Sequence, residues 1–367
     1  MIPKSCRLFG QDHASKQSLE QSFSDESGSV KAALAGLGRM GLRHLQVLRD
    51  LSLEITAAAD VQEQARAKAA AEFGLPSNAM FGDASEMIAQ VRPDLMIVAT
   101  TAPSHADLVC RAAESGARAI LCEKPMAVSL AQCDRMIDAC AASGARLAVN
   151  HQMRFMEQYT KAKTIVDDAS FGGLSSVTVV AGNFGIAMNG SHYFEMFRYL
   201  TDEMPASVAA WFSSENVPNP RGAQFEDRAG SIRLTTASGR RFYMDASTDQ
   251  GHGMHVTYAG PYGRLDVDEL VGRAQLAIRK AEHRTVPTTR YGMPAELREF
   301  AIAPADAIAP TRAVLSALLA DDDYPSGEIG RTAVEVLSAG YASNEQGGRT
   351  IALATADLPR DRVFPWA

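Results

Sequence analysis

The sequence predicts an α/β chain of two domains, a parallel doubly wound sheet followed by an antiparallel one. Three observations carry that expectation. From residue 30 to 150, short apolar runs alternate with segments of helical period, the pattern of strands buried on both faces by crossover helices. The first of these runs opens directly into Gly36-Leu37-Gly38-Arg39-Met40-Gly41, a glycine-rich turn between a strand and a helix. Beyond residue 150 the runs change to period two or to β-branched residues set between turns, as antiparallel strands require.

Size and composition agree. The chain has 367 residues, two domains' worth at about 150 residues each. With 46% hydrophobic and 22% charged residues it holds enough apolar material for two cores, which excludes a mostly disordered chain. Its 36 basic and 43 acidic residues leave a formal charge of −7 with no basic run, so nucleic acid is not an expected partner. Apolar runs such as 95–99 are too short to span a bilayer, so no membrane role is expected. Five cysteines without a CxxC pair or zinc-type spacing read as buried thiols in a reducing compartment. Residues 1–29 lack the apolar core of a secretion signal and read as a polar, mobile arm. A cytoplasmic protein is expected.

In chain order, strands are expected at 30–36, 53–59, 95–100, 119–122 and 146–149. Between them, 40–51 places Leu42, Leu45, Val47 and Leu48 at helical period. A second helix runs to Phe73 and is stopped by Gly74 and Pro76, and further helices cover 104–115 and 129–143. In the second half, strands are expected at 174–181, 206–213, 231–236, 241–246 and 254–259, with helices at 192–200 and 327–344. The resulting division is an arm at 1–29, a first domain at 30–150 and a second at 151–367.

The glycine turn has a physical use. Gly36 permits the tight turn, Gly38 lets the backbone approach a pyrophosphate, and Gly41 allows helix and strand to pack closely. Asp60, at the end of the next strand, is placed to accept hydrogen bonds from adenosine ribose hydroxyls and to repel a 2′-phosphate. NAD is therefore favoured, while Arg39 in the turn leaves NADP open. Thr101, Pro103 and His105 follow a parallel strand end, where a dinucleotide crosses. With Met40, they complete a cofactor-binding set.

The stretch ATTAPSHADLVCRAAESGARAILCEKPMAVS, after GLGRMGLRHL, resembles the glucose–fructose oxidoreductase / inositol dehydrogenase / MocA (Gfo/Idh/MocA) family. The similarity continues through Asn150-His151-Gln152-Met153-Arg154-Phe155, Asn189-Gly190-Ser191-His192 and PSGEIGRTAVEVLSAGYASNEQGG. The resemblance implies a Rossmann domain followed by an α/β domain with a large, mostly antiparallel open sheet. It implies an NAD(P)-dependent oxidoreductase acting on a hydroxyl or keto carbon of a sugar, cyclitol or nucleotide-linked sugar. It also implies that Glu123 and Lys124 line the cofactor site, that Lys124 touches substrate, and that the Lys124–Pro125 peptide is cis.

Oxidising an alcohol needs a proton acceptor beside the hydride acceptor. His192 matches the family's second-domain histidine and is the expected base, with Asn189 or Ser191 capping its helix. Lys124 is expected to donate to the same substrate oxygen. Many members carry Asp four residues before this histidine; here Met188 stands there, and Asn189 follows. Glu195 shares a helix face with His192 and is an expected orienting or substrate group, alongside Asn189, Arg154 and Tyr193. Loops 217–227 and 283–293 are expected to set specificity. His252 and His255 begin a strand and point to opposite faces, so no metal site is expected. No GxSxG supports a serine hydrolase. Two other readings stay open: an NAD-dependent glycosidase of the same fold, and a ligand-sensing protein that keeps the dinucleotide site without turnover. By analogy of fold, a homodimer or homotetramer is expected.

Overall fold

Strands as apolar as Leu-Met-Ile-Val must be covered on both faces, and the first domain does this. The computed structural model describes residues 30–287 and 294–367. Strands β1 (Lys31–Ala35), β2 (Glu54–Ala59), β3 (Met80–Phe81), β4 (Leu95–Val98), β5 (Ala119–Cys122) and β6 (Arg146–Val149) form a sheet in the order β3-β2-β1-β4-β5-β6. Every pairing in it is parallel. Helices α1 (Arg39–Asp50), α2 (Glu63–Phe73), α3 (Ala84–Val91), α4 (His105–Glu114) and α5 (Leu130–Ser143) make the crossovers. Strand order reverses between β1 and β4, the point where such sheets hold ligands beyond their carboxyl ends. The expected arm at 1–29, and residues 288–293 of the expected specificity loop, lie outside the described residues.

The second domain carries β7 (Ser176–Gly182), β8 (Pro205–Asn216), β9 (Arg228–Thr236), β10 (Arg241–Ser247), β11 (His255–Ala259), β12 (Gly263–Asp268), β13 (Arg273–Arg279), β14 (Ala295–Ala301) and β15 (Ile351–Ala352). They form one sheet in the order β14-β13-β12-β11-β7-β10-β9-β8-β15, antiparallel except where β7 meets β10. The last four strands exceed what periodicity predicted. Helices α6 (Glu157–Asp167), α7 (Ser191–Thr201), α8 (Ile308–Ala320) and α9 (Gly327–Glu345) complete the chain. The sheet's other face leaves Trp211 and Tyr243 exposed.

Helix α8 returns to the first domain. Its Val314, Leu315, Leu318 and Leu319 share one core with Leu34, Leu45, Leu48 and Ile97, so 308–320 packs with the Rossmann sheet rather than with the second domain's. The chain then runs beside β6: the Val149 N–H donates to the Pro325 carbonyl at 2.8 Å, and Ser326 bridges Ala148. This covers the outer edge of the parallel sheet. Cys110, Cys122, Cys133 and Cys140 are buried free thiols, and burial pushes Cys140 up to about 12.

Candidate active site

The glycine turn is shaped by close approaches. Gly36 adopts φ +93°, and a Cβ there would lie 2.5 Å from the Ala99 carbonyl oxygen; one on Gly41 would lie 1.8 Å from the Gly36 carbonyl oxygen. Gly38 differs, since nothing lies within 4 Å of where its Cβ would be. No side chain caps α1, so its first N–H groups are free to meet an anion. An open glycine before an uncapped helix fits a dinucleotide pyrophosphate. Asp60 accepts from the Leu37 N–H at 2.7 Å and the Gln62 N–H at 2.8 Å, tying the turn to the end of β2. A carboxylate has about four acceptor sites, so the ribose role stays compatible with these two bonds. Arg39 is exposed at the mouth of the turn, and Met40 is half-buried behind it.

The segment after β5 is braced from three sides. The Lys124–Pro125 peptide is cis. His105 is buried, with Nδ1 3.1 Å from the Pro125 carbonyl oxygen and Nε2 3.1 Å from that of Thr100. Burial lowers its imidazolium, so the neutral ring donates its single N–H to one of these carbonyls and braces the proline turn from inside the domain. Thr101 is half-buried and Pro103 exposed in the turn after β4. Glu123 is 4% exposed, with Oε1 2.8 Å from His44 Nε2 and accepting from Asn150 Nδ2 at 2.8 Å. Burial alone would raise its carboxyl, but the His44 hydrogen bond and charge, Asn150 and Lys124 outweigh that and bring it down to about 2. Its carboxylate links α1, β5 and β6, so the expected cofactor contact becomes an internal one.

Lys124 is half-buried and donates from Nζ to the Met188 carbonyl oxygen, across the two domains. Burial lowers its ammonium most, and the Arg221 and Arg39 charges add to that; Glu123 and Asp227 oppose them, leaving it at about 8. His192 lies in the first turn of α7. Burial, then the charges of Lys124 and His151, hold its imidazolium well below the ordinary 6.5. His151, just after β6, meets His192 edge-on with ring centroids 5.7 Å apart. Neither His151 nitrogen, nor Nδ1 of His192, has a partner among the described residues. Burial, then Lys124, brings His151 down to about 3.

The remaining expected substrate groups divide. Asn189 is half-buried, one residue after the carbonyl that Lys124 meets. Neither Asn189 nor Ser191 caps α7, because a wide turn over Ile186–Gly190 runs straight into the helix. The Tyr193 hydroxyl donates to Glu269 at 2.7 Å and its ring is 3% exposed, so it is a core residue. Glu195 is 2% exposed and accepts from Arg198 at 3.0 Å. Arg154 pairs with Asp323 and lies over the Tyr199 ring. Tyr193 is thus corrected from a substrate contact to a core residue, whereas Glu195 Oε2 and Arg154 Nη1 are buried with no partner among the described residues. Sequence reasoning also missed Asp227, whose carboxylate accepts from the backbone N–H groups of Ala187 at 2.8 Å and Met188 at 2.9 Å. No spacing rule links it to residues forty positions earlier.

The glycine turn is open to a phosphate, and Lys124, His151 and His192 gather where the two sheets' domains meet, the features of a dinucleotide-binding cleft with polar groups beside it. Residues 30–151 match the Gfo/Idh/MocA model, described as an oxidoreductase family with an NAD-binding Rossmann fold. It is 29% identical over 234 residues to D-apiose dehydrogenase from Paraburkholderia graminis, spanning 59% of this chain and 60% of that protein. It is 26% identical over 239 residues to inositol 2-dehydrogenase from Rhizobium meliloti, spanning 61% of this chain and 71% of that protein. The fold is similar to an oxidoreductase from Agrobacterium radiobacter in complex with NAD+, L-tartaric acid and magnesium. That match has a TM-score of 0.72 at 19% identity and covers 89% of this chain and 99% of the other.

Proposed function

We propose that this protein transfers a hydride between a nicotinamide and a hydroxyl-bearing carbon of a sugar or cyclitol held between its two domains. The observation that carries the reading is the meeting of Lys124, from the end of β5, with the Met188 segment that leads into His192. The relatives' substrates, D-apiose and inositol, support the polyhydroxyl class. When bound at the crevice beside Gly36–Gly41, NAD supplies the hydride acceptor or donor. Asp60 supports NAD over NADP.

The chain's own residues handle the proton. A proton acceptor works best with a pKa near the working pH, and Lys124 at about 8 meets that condition. As a neutral amine it keeps an N–H on the Met188 carbonyl and turns its lone pair to the substrate hydroxyl. His192 is too acidic as an imidazolium to hold the proton; as a neutral ring it hydrogen-bonds the same oxygen and fixes its position. This exchanges the two roles that sequence reasoning assigned. Its neighbour His151 offers two further unpartnered nitrogens for substrate hydroxyls. The open face of the second sheet, with Trp211, Tyr243 and Leu297 exposed, supports self-association, which size-exclusion chromatography with light scattering tests.

Lys124→Ala tests the reading. NADH binding, followed by fluorescence, is expected to stay near normal. Turnover on a responsive sugar or cyclitol is expected to fall by about 10² or more. Unchanged turnover overturns the role of Lys124.

A further inference from the structure

Residues 185–190 carry the carbonyl that holds Lys124, and this stretch is gripped from the loop before β9. Asp227 is 2% exposed. One of its oxygens accepts from the Ala187 N–H at 2.8 Å, the other from the Met188 N–H at 2.9 Å. Gly185 makes room for the carboxylate: a Cβ there would lie 1.9 Å from Asp227 Oδ2. Met188 is therefore held at its backbone N–H by Asp227, while its backbone C=O, in the next peptide unit, receives Lys124 Nζ. Asp227 is itself fixed, since its carbonyl accepts from Val217 N–H at 2.8 Å and the preceding Glu226 N–H donates to Pro365 at 2.8 Å.

We propose that Asp227 is the positioning residue for Lys124: it clamps the Ala187–Met188 backbone so that the Met188 carbonyl presents the lysine to the cleft. In the same way it brings into the site the negative charge missing from position 188. The inference rests on Lys124 as the proton acceptor. The charged and titratable groups acting on Lys124 are Glu123 from its own turn, Arg39 from α1, and Arg221 and Asp227 from the 217–227 loop. His151 and His192 stand on the remaining side and feel its charge. Among these, Glu123 and Asp227 favour the ammonium. Removing the Asp227 charge therefore moves Lys124 to a lower pKa, against the intuition that losing an acid costs only rate.

The test compares the wild type with Asp227→Asn and Gly185→Ala in the full chain. Competitive acetylation of the ligand-free protein across pH, followed by mass spectrometry of the Lys124 peptide, reads the lysine without turnover. In Asp227→Asn the Lys124 midpoint, and with it the inflection of kcat/KM, is expected to fall by about half a unit or more. Turnover is expected to drop by about tenfold or more, with NADH affinity within about threefold. Gly185→Ala keeps the charge but drives the carboxylate off the two N–H groups, so it is expected to lose turnover with a smaller midpoint shift; it also carries the test if Asp227→Asn does not fold. A midpoint unmoved in Asp227→Asn, or turnover within threefold of wild type in Gly185→Ala, overturns the proposal. Lys124→Ala separates the two ideas: if it keeps turnover the proton role fails, whereas labelling still decides the clamp.

Discussion

Glu123 at the end of β5 and His44 in α1 meet 2.8 Å apart in a pair almost wholly withdrawn from water. Asn150, at the end of β6, donates to the same carboxylate oxygen. Three elements of the first domain are thereby tied immediately beneath Lys124, so the backbone that carries the lysine has little freedom to drift.

That tie has a pH signature. The Glu123 carboxyl is held at about 2, below its ordinary 4.5, so it contributes stability that is present above 4.5 and is lost as pH falls towards 2. Glu123→Gln is expected to destabilise the protein by roughly 2–3 kcal/mol at neutral pH. Urea unfolding at pH 7 and again near pH 3 checks this. The gap between variant and wild type should narrow clearly at the lower pH; a constant gap contradicts the assignment.

The two cleft histidines should not titrate in the neutral range. His151 is brought to about 3 and His192 well below its ordinary value, both first by burial. Long-range 1H–15N NMR of the ring nitrogens is expected to show neutral imidazoles from about pH 5 to 9. A titration near 6.5 in the His192 ring would return it to the role of base.

Tyr193 is expected to matter for stability rather than for substrate. It and Tyr159 both donate to Glu269, at 2.7 and 2.6 Å. Tyr193→Phe leaves a buried carboxylate with one phenol fewer, a loss of about 1–3 kcal/mol. Chemical denaturation measures the loss, and KM should stay within about threefold. A large rise in KM with unchanged stability would restore the expected substrate contact.

Asp60 is expected to act twice. Asp60→Ala removes the acceptor for the Leu37 and Gln62 N–H groups as well as the ribose partner. NADH affinity should fall by about tenfold or more, and the preference for NADH over NADPH should shrink. Fluorescence titration with both nucleotides decides it, and an unaltered preference argues that Arg39 dominates.

Much of the first domain was legible because its signals are local. A strand buried on both faces announces itself as an apolar run, and the turn after β1 needs glycine locally, for the positive φ of Gly36 and for the approach of Gly41 to the Gly36 carbonyl. The same holds for β7 to β11, whose alternation shows within each strand. Strands β13 and β14 were not legible, since Arg-Ala-Gln-Leu-Ala-Ile-Arg and Ala-Glu-Leu-Arg-Glu-Phe-Ala have the composition of helices. Pairing decides them: Arg273–Arg279 runs antiparallel to Ala295–Ala301 residue by residue, and their location in an open sheet overrides propensity.

By itself, then, the sequence determined the parallel sheet and the glycine turn that follows its first strand, because the signals of each lie a few residues apart. Only the tertiary structure decided that α8 returns to the first domain, that Glu123 joins His44 and Asn150, and that the Tyr193 hydroxyl is taken up by Glu269. It also decided that Asp227 accepts from the Ala187 and Met188 N–H groups, forty positions away in sequence. Hydrogen bonds and desolvation act through space, and no periodicity along the chain encodes which distant side chains will share a buried volume.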